Sequence, residues 1–183
     1  ELSHGICVSN LAYRVGKELS LDDGMCYNLA VMGFLHDIGK QEMVRAMRQK
    51  GTGRVLIVEE MRYLRTHSVL GYAILKDQGY EDELAEWVLY HHENYDGTGY
   101  PSNKVGDAIP LGARILRVCD VFAALTSNRT YRNAYSVEKA MDQMISEVKN
   151  FDMKVFLALM NVVNSTDPAR LTDHQDLDPG LVI

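Results

Sequence analysis

Residues 34–40 read FLHDIGK, and the interpretation of the whole chain starts from this stretch. The residues before it are apolar at helical spacing, so His36 and Asp37 are expected where a helix ends near Gly39. An imidazole beside a carboxylate can serve two metal ions at once, with the carboxylate spanning both. Lys40, one turn later, is close enough to hold a phosphate oxygen as a point charge.

Apolar residues recur at helical spacing through most of the chain, and glycine-rich stretches separate the runs. Ser20 and Asp22 can cap the second helix. The predicted helices span residues 2–19, 20–39, 41–49, 58–76, 81–93, 111–126, 137–148 and 151–163. Residues 54–58 are the only strand candidate. The sequence therefore predicts an all-α domain at 1–163, trimmed at its N-terminus because no cap precedes the first helix, and a loose tail at 164–183.

Composition narrows the function classes. The 183 residues suit one domain, and a net charge of −6 argues against binding to a nucleic-acid polymer. A small phosphate ligand stays compatible with this charge, because bound cations can supply positive charge locally. No apolar run approaches the roughly 20 residues of a membrane span, so we expect no membrane contact by this segment. Three separated cysteines without a CxxC pattern favour reduced thiols in a cytoplasmic protein.

Histidines point to the chemistry. The chain has six of them, and His174 lies in the polar tail without an expected role. A single helical histidine is more often an ordinary core or surface residue than a ligand. Five inward-facing imidazoles in one small domain would be costly to bury without partners, and a shared metal site removes that cost. These five are His4, His36, His67, His91 and His92.

Four segments together resemble the HD-GYP family in order and spacing. They are FLHDIGK (34–40), THSVLGYAIL (66–75), HHENYDGTGYP (91–101) and LGARILRVCDVFAALTSNRTYR (111–132). The resemblance covers about residues 4–163. It implies an HD-domain helical bundle with a core of about five helices and additional C-terminal helices. It also implies hydrolysis of cyclic di-GMP to linear pGpG, GMP or both, by a metal-bridging hydroxide.

The resemblance assigns site residues position by position. Asp37 would bridge two divalent ions, iron or manganese, and Asp37 and Lys40 would be catalytic. A third ion would need a glutamate four residues before His4, and Glu1 is only three residues before it, so two ions are expected. The implied metal ligands are His4, His36, Asp37, His67, His91, His92 and Asp120. The implied substrate contacts are Lys40, Tyr100, Arg129 and Arg132.

The resemblance also implies partners and leaves alternatives open. We expect a sensory or receiver domain before this segment. We also expect a cyclase domain that docks on the GYP loop, which contains residues 99–101. A homodimer is compatible with the sequence. The chain departs from the family pattern at Ala123, at Thr130 and in the proline-free stretch after Gly39. These departures motivate two alternatives: hydrolysis of another cyclic dinucleotide such as cyclic GMP-AMP, or a non-catalytic sensor of cyclic dinucleotides.

Overall fold

The fold is helical, and the computed structural model describes residues 2–41, 62–128 and 133–166. Its helices are α1 Leu2–Glu18, α2 Asp23–Leu35, α3 His67–Asp77, α4 Asp82–Tyr90, α5 Leu111–Thr126, α6 Val137–Ser146 and α7 Met153–Ser165. Residues 38–41 and 62–64 are also helical, and 3-10 turns lie at Gly106–Ala108 and Val148–Asn150. No strand occurs within the described ranges, which confirms the predicted all-α class. No helix among these residues is long and apolar enough to span a membrane.

Helices α1 and α2 form an antiparallel hairpin. Asp22 caps α2 by accepting a hydrogen bond from the Met25 amide at 2.9 Å, whereas Ser20 lies in the connecting turn with a φ of 58°. A Cβ atom on Gly33 would lie 3.0 Å from the Cα of Ser9, so the glycine permits close helix contact. The hairpin geometry brings the start of α1 beside the end of α2.

Helix α5 is the centre of the core. Its side chains Ile115, Leu116, Val118 and Phe122 are fully buried, and the helix contacts α1, α4, α6 and α7. Burial of each of these large apolar side chains stabilises the folded state by roughly 1.5–3 kcal/mol. The one charged residue on the buried face is Asp120, which is 9% exposed. A carboxylate in this position needs partners from the neighbouring helices.

Several predicted helix boundaries were wrong. The helix predicted at 58–76 is interrupted at residues 65–66, and α3 begins at His67. Helix α4 ends at Tyr90, three residues before the predicted end. Gly39 does not stop a helix but lies in the helical residues 38–41. Three helix boundaries share a local contact, described below, in which a histidine ring lies against the backbone carbonyl oxygen of the residue three positions earlier.

Other sequence predictions agree closely with the structure. Helix α5 has the predicted bounds, Ser136 caps α6 through the Lys139 amide, and the three cysteines are free and buried. Helix α7 extends to Ser165, two residues into the predicted tail. The strand candidate 54–58, the predicted helix 41–49 beyond Gln41 and the tail from residue 167 lie outside the described residues.

Candidate metal centre

Five helices or helix ends bring the predicted ligand residues together. His4 comes from α1, Asp120 from α5, and the others lie at the ends of α2 and α4 or at the start of α3. The side chains form two groups, and within each group one ligand atom per residue lies within 4.8 Å of the others. Cluster A consists of His4, His36 and Asp120. Cluster B consists of Asp37, His67, His91 and His92.

Asp37 lies between the two clusters. Its Oδ2 atom is 3.4 Å from Nε2 of His36 in cluster A. Its Oδ1 atom is 3.4 Å from Nε2 of His67 and 3.9 Å from Nε2 of His91 in cluster B. One carboxylate therefore presents a different oxygen to each cluster, which is the arrangement that a bridging ligand requires.

Three of the histidines are oriented by the same backbone contact. The Nδ1 atom of His36 lies 2.7 Å from the carbonyl oxygen of Gly33, that of His67 is 2.6 Å from Leu64, and that of His91 is 2.5 Å from Val88. In each pair the acceptor is three residues earlier, where a helical turn leaves a carbonyl free. The contact favours the tautomer with the proton on Nδ1, so that Nε2 is available to a metal.

The buried polar atoms of the site fit divalent metal ions. The Nε2 atom of His36 and the Oδ1 atom of Asp37 are buried and have no hydrogen-bond partner among the described residues. Leaving such groups unpaired is costly, and ligation removes the cost. Imidazole nitrogens and carboxylate oxygens are the donors that iron, manganese and zinc accept.

Electrostatics favour the metal-binding protonation state at most of the cluster residues and oppose it at His36. Burial lowers the pKa of His36, but the neighbouring carboxylates of Asp37 and Asp120 outweigh it and raise this pKa, so a metal ion would have to displace a proton there. Burial lowers the pKa of His92 to about 3 and holds the pKa values of His67 and His91 below their ordinary range, so these imidazoles are neutral. Burial raises the pKa of Asp120, but the hydrogen bond from His4 and the charge of His36 outweigh it and hold the pKa well below its ordinary value. Neutral imidazoles and ionised carboxylates are the metal-binding forms.

The two predicted substrate contacts within the described residues border the clusters. The Nζ atom of Lys40 lies 2.6 Å from Oδ2 of Asp37 and its side chain is 30% exposed, so a cation faces the site from the solvent side. The ring of Tyr100 stacks on the ring of His92 with centroids 4.8 Å apart. Arg129 and Arg132 lie outside the described residues, as does Glu1.

Sequence reasoning missed the residues that hold the loop carrying Tyr100. The buried Glu93 accepts a hydrogen bond from the Ser102 amide at 2.6 Å, and the Tyr100 amide donates to the His92 carbonyl oxygen at 3.2 Å. A second anchor comes from α5, where Arg117 donates to Oδ1 of Asn94 at 2.9 and 3.1 Å. The one sequence signal for this role is that Glu93 directly follows the paired histidines in the motif.

Replacing Glu93 by alanine is expected to destabilise the protein by about 1–3 kcal/mol, because the hydrogen bond between the Ser102 amide and this buried carboxylate is lost. Glu93→Gln keeps an acceptor oxygen and is expected to recover most of that loss. Urea denaturation of the two variants and the wild-type chain would measure the free energies of unfolding. Equal stability of Glu93→Ala and the wild type would show that the loop is held without this side chain.

Comparisons with known proteins agree with this geometry. A family model described as HD domain matches residues 2–155. The chain is 34% identical over 161 residues to a cyclic di-GMP phosphodiesterase of Pseudomonas aeruginosa, covering 87% of this chain and 38% of the relative. It is 36% identical over 157 residues to the 3'3'-cGAMP-specific phosphodiesterase 1 of Vibrio cholerae, covering 84% and 36%. The chain thus spans less than half the length of these relatives.

Solved structures share the fold. A cyclic GMP-AMP-specific phosphodiesterase of V. cholerae superimposes with a TM-score of 0.73 at 18% identity, over 93% of this chain and 46% of that one. A protein of Bdellovibrio bacteriovorus described as an HDGYP protein gives 0.70 at 18% identity, over 88% and 52%. At this identity the likeness concerns the fold alone. Together with the family match and the sequence relatives, it shows that this chain belongs to the HD domain family, in its HD-GYP group.

Proposed function

We propose that this chain is a metal-dependent phosphodiesterase that hydrolyses cyclic di-GMP to linear pGpG, GMP or both. The observation that carries the proposal is the position of Asp37, which presents one carboxylate oxygen to cluster A and the other to cluster B. Paired metal sites bridged by a carboxylate are typical of phosphoester hydrolysis. The cyclic di-GMP phosphodiesterase of P. aeruginosa, 34% identical to this chain, supports the choice of substrate.

In this proposal the clusters hold two divalent ions, iron or manganese. When bound, such ions lower the pKa of a water molecule and neutralise charge on the phosphodiester. Asp37 would ligate both ions, because each of its carboxylate oxygens faces one of the clusters. The remaining proposed ligands are His4, His36, His67, His91, His92 and Asp120.

Lys40 would act on the substrate from the exposed side of the centre. Its ammonium group can move from Oδ2 of Asp37, 2.6 Å away, to a phosphate oxygen and stabilise the charge that develops there. Tyr100 would contact the nucleotide next to His92. Arg129 and Arg132, from the motif after α5, are proposed to pair with the second phosphate or a guanine edge.

Cyclic GMP-AMP is the second candidate substrate. It is favoured by the 36% identity to the V. cholerae 3'3'-cGAMP-specific enzyme and by Ala123, which departs from the family pattern one turn after Asp120. A non-catalytic sensor is less consistent with the site, because all seven proposed ligands converge in the two clusters.

The partners implied by the resemblance stay proposals. They are an N-terminal sensory or receiver domain, a cyclase domain that docks on the loop carrying Tyr100, and a second copy of the chain in a homodimer. We also propose a cytoplasmic location, because the three separated cysteines favour reduced thiols.

Protein purified anaerobically is expected to carry about two iron or manganese ions per chain, in line with the two clusters. It should cleave cyclic di-GMP faster than cyclic GMP-AMP or cyclic di-AMP, and chelation should abolish cleavage and lower the melting temperature, because the ions bind only the folded state. Elemental analysis, product chromatography and thermal unfolding would measure these effects. Preferential cleavage of cyclic GMP-AMP would select the second candidate, and protein without metal would contradict the proposal.

A further inference from the structure

Arg65 stands at the rim of the centre in a defined position. It lies in the two-residue break between the helical residues 62–64 and α3. The break is anchored next to it, because Nδ1 of His67 contacts the carbonyl oxygen of Leu64 at 2.6 Å. The Arg65 side chain is exposed, and its guanidinium carbon lies 5.3 Å from the centre of the Tyr100 ring.

Tyr100 links this guanidinium to the clusters. Its ring stacks on His92, a member of cluster B, with an interplanar angle of 25°. The tyrosine is itself held by the loop anchor at Glu93 and by its own amide hydrogen bond to His92. A cation over an aromatic ring is stabilised by the ring quadrupole, so Arg65 is kept near the site although it is exposed. Arg65 is thus connected to His92, a proposed metal ligand, through the ring of Tyr100.

The charges of the site leave a role for this arginine. A cyclic dinucleotide carries two phosphodiester groups, and the clusters with Lys40 can receive only one of them. Lys40 is engaged with Asp37 at 2.6 Å, and Arg117 is engaged with Asn94. Arg65 offers a guanidinium on the exposed side of the same centre, in addition to the proposed contacts of Arg129 and Arg132, which could then serve a guanine edge. A guanidinium binds phosphate through two parallel hydrogen bonds.

We propose that Arg65 is a substrate-binding residue that contacts the phosphate of the cyclic dinucleotide that is not being cleaved. This inference rests on the proposed function and adds a residue to it. Holding the guanidinium against Tyr100 before the substrate arrives reduces the ordering that binding requires. Arg65 thus raises affinity for substrates with two phosphates and leaves the chemistry at the clusters to the proposed ligands.

The test compares two substrates of the metal-loaded protein, cyclic di-GMP with two phosphates and bis(p-nitrophenyl) phosphate with one. Arg65→Ala is expected to raise KM for cyclic di-GMP about 10-fold, a typical loss for one charge-assisted contact, with kcat changed by less than about twofold. Its kcat/KM for bis(p-nitrophenyl) phosphate should stay unchanged. Arg65→Lys should recover part of the affinity. Calorimetric binding of cyclic di-GMP to chelator-treated protein gives a readout independent of turnover.

Lys139→Ala is the matched control, because it removes a cation that lies 4.2 Å from the Tyr135 ring, in a pair that includes no proposed ligand or substrate contact. It should leave both substrates unaffected. An equal loss on both substrates in Arg65→Ala would mean that Arg65 acts only through the structure, and no loss on either would overturn the proposal as well. A wild-type chain that neither binds nor cleaves cyclic di-GMP would contradict the proposed function itself, and the role of Arg65 with it.

Discussion

Asp37→Ala is expected to abolish phosphodiesterase activity, with kcat lowered by at least about 1,000-fold, the scale of losing a central electrostatic contact to the transition state. The physical reason is that Asp37 is the one described carboxylate with oxygens facing both clusters, at 3.4 Å from His36 and from His67. Without it, two like-charged ions have no shared anion between them. Metal content is therefore expected to fall below two ions per chain along with kcat.

A conservative variant separates the loss of the carboxylate charge from the loss of the side-chain shape. Asp37→Asn keeps the shape of the side chain but offers only one carbonyl oxygen and no charge, so it is expected to be nearly as inactive as the alanine variant. Asp23→Ala is the matched control, because it removes an exposed carboxylate paired with Lys17 at the surface. Kinetic assays and elemental analysis of the three variants would decide. An Asp37→Ala protein with wild-type activity would refute the bridging role.

The sequence predicted which side chains lie together better than it predicted where the helices around them begin and end. The seven proposed ligands follow from motifs whose spacing is local, and all of them converge in the structure. Helix α5 could be bounded correctly because its apolar residues recur at helical spacing along its whole length and begin directly after Pro110. In these cases the information lies within a few neighbouring residues, where periodicity and turn chemistry act.

What escaped prediction depends on side-chain contacts that the pattern of apolar residues does not encode. The helices end at Leu35 and Tyr90, and a break precedes His67, where histidine rings contact the last free carbonyls. Helical periodicity continues through such points, so it cannot locate them. The contact of Glu93 with Ser102 and that of Arg65 with Tyr100 likewise depend on how the loop folds back. The helix ends thus depend on local side-chain contacts, and the loop depends on tertiary structure that propensity does not predict.

Gly39 shows how one residue can be noticed for the wrong reason. Its glycine character suggested a helix stop, yet the residue is helical and buried. The structure gives a different requirement, because a Cβ atom at this position would overlap the carbonyl oxygen of His67 and lie 2.8 Å from the Gly71 amide nitrogen. The glycine allows the segment after Asp37 to touch the first turn of α3, and this contact sets the spacing between Asp37 and His67.

Gly39→Ala is therefore expected to damage stability and metal binding together. The added methyl group meets backbone atoms, which cannot rotate away, so the loss should reach at least about 3 kcal/mol, the upper range for overpacked cores. Relief of the overlap would move α3 away from Asp37. Cluster B, which needs both His67 and Asp37, should then lose affinity for its ion before cluster A does. Thermal unfolding and metal titration of the purified variant would measure both effects.

Gly24→Ala provides the comparison within the same region. There a Cβ atom would lie 3.2 Å from Oδ1 of Asp22, the oxygen that caps α2, so the side chain must shift by only a few tenths of an ångström and can keep its hydrogen bond. Alanine favours the helix by up to about 1 kcal/mol over glycine, which offsets a slightly weaker cap. This variant should match or exceed wild-type stability and keep both ions. The contrary outcome is that Gly39→Ala unfolds at the wild-type temperature with its metal content intact. In that case residues 38–41 and the first turn of α3 can move apart without a loss of stability. The contact at Gly39 would then not be what sets the distance between Asp37 and His67.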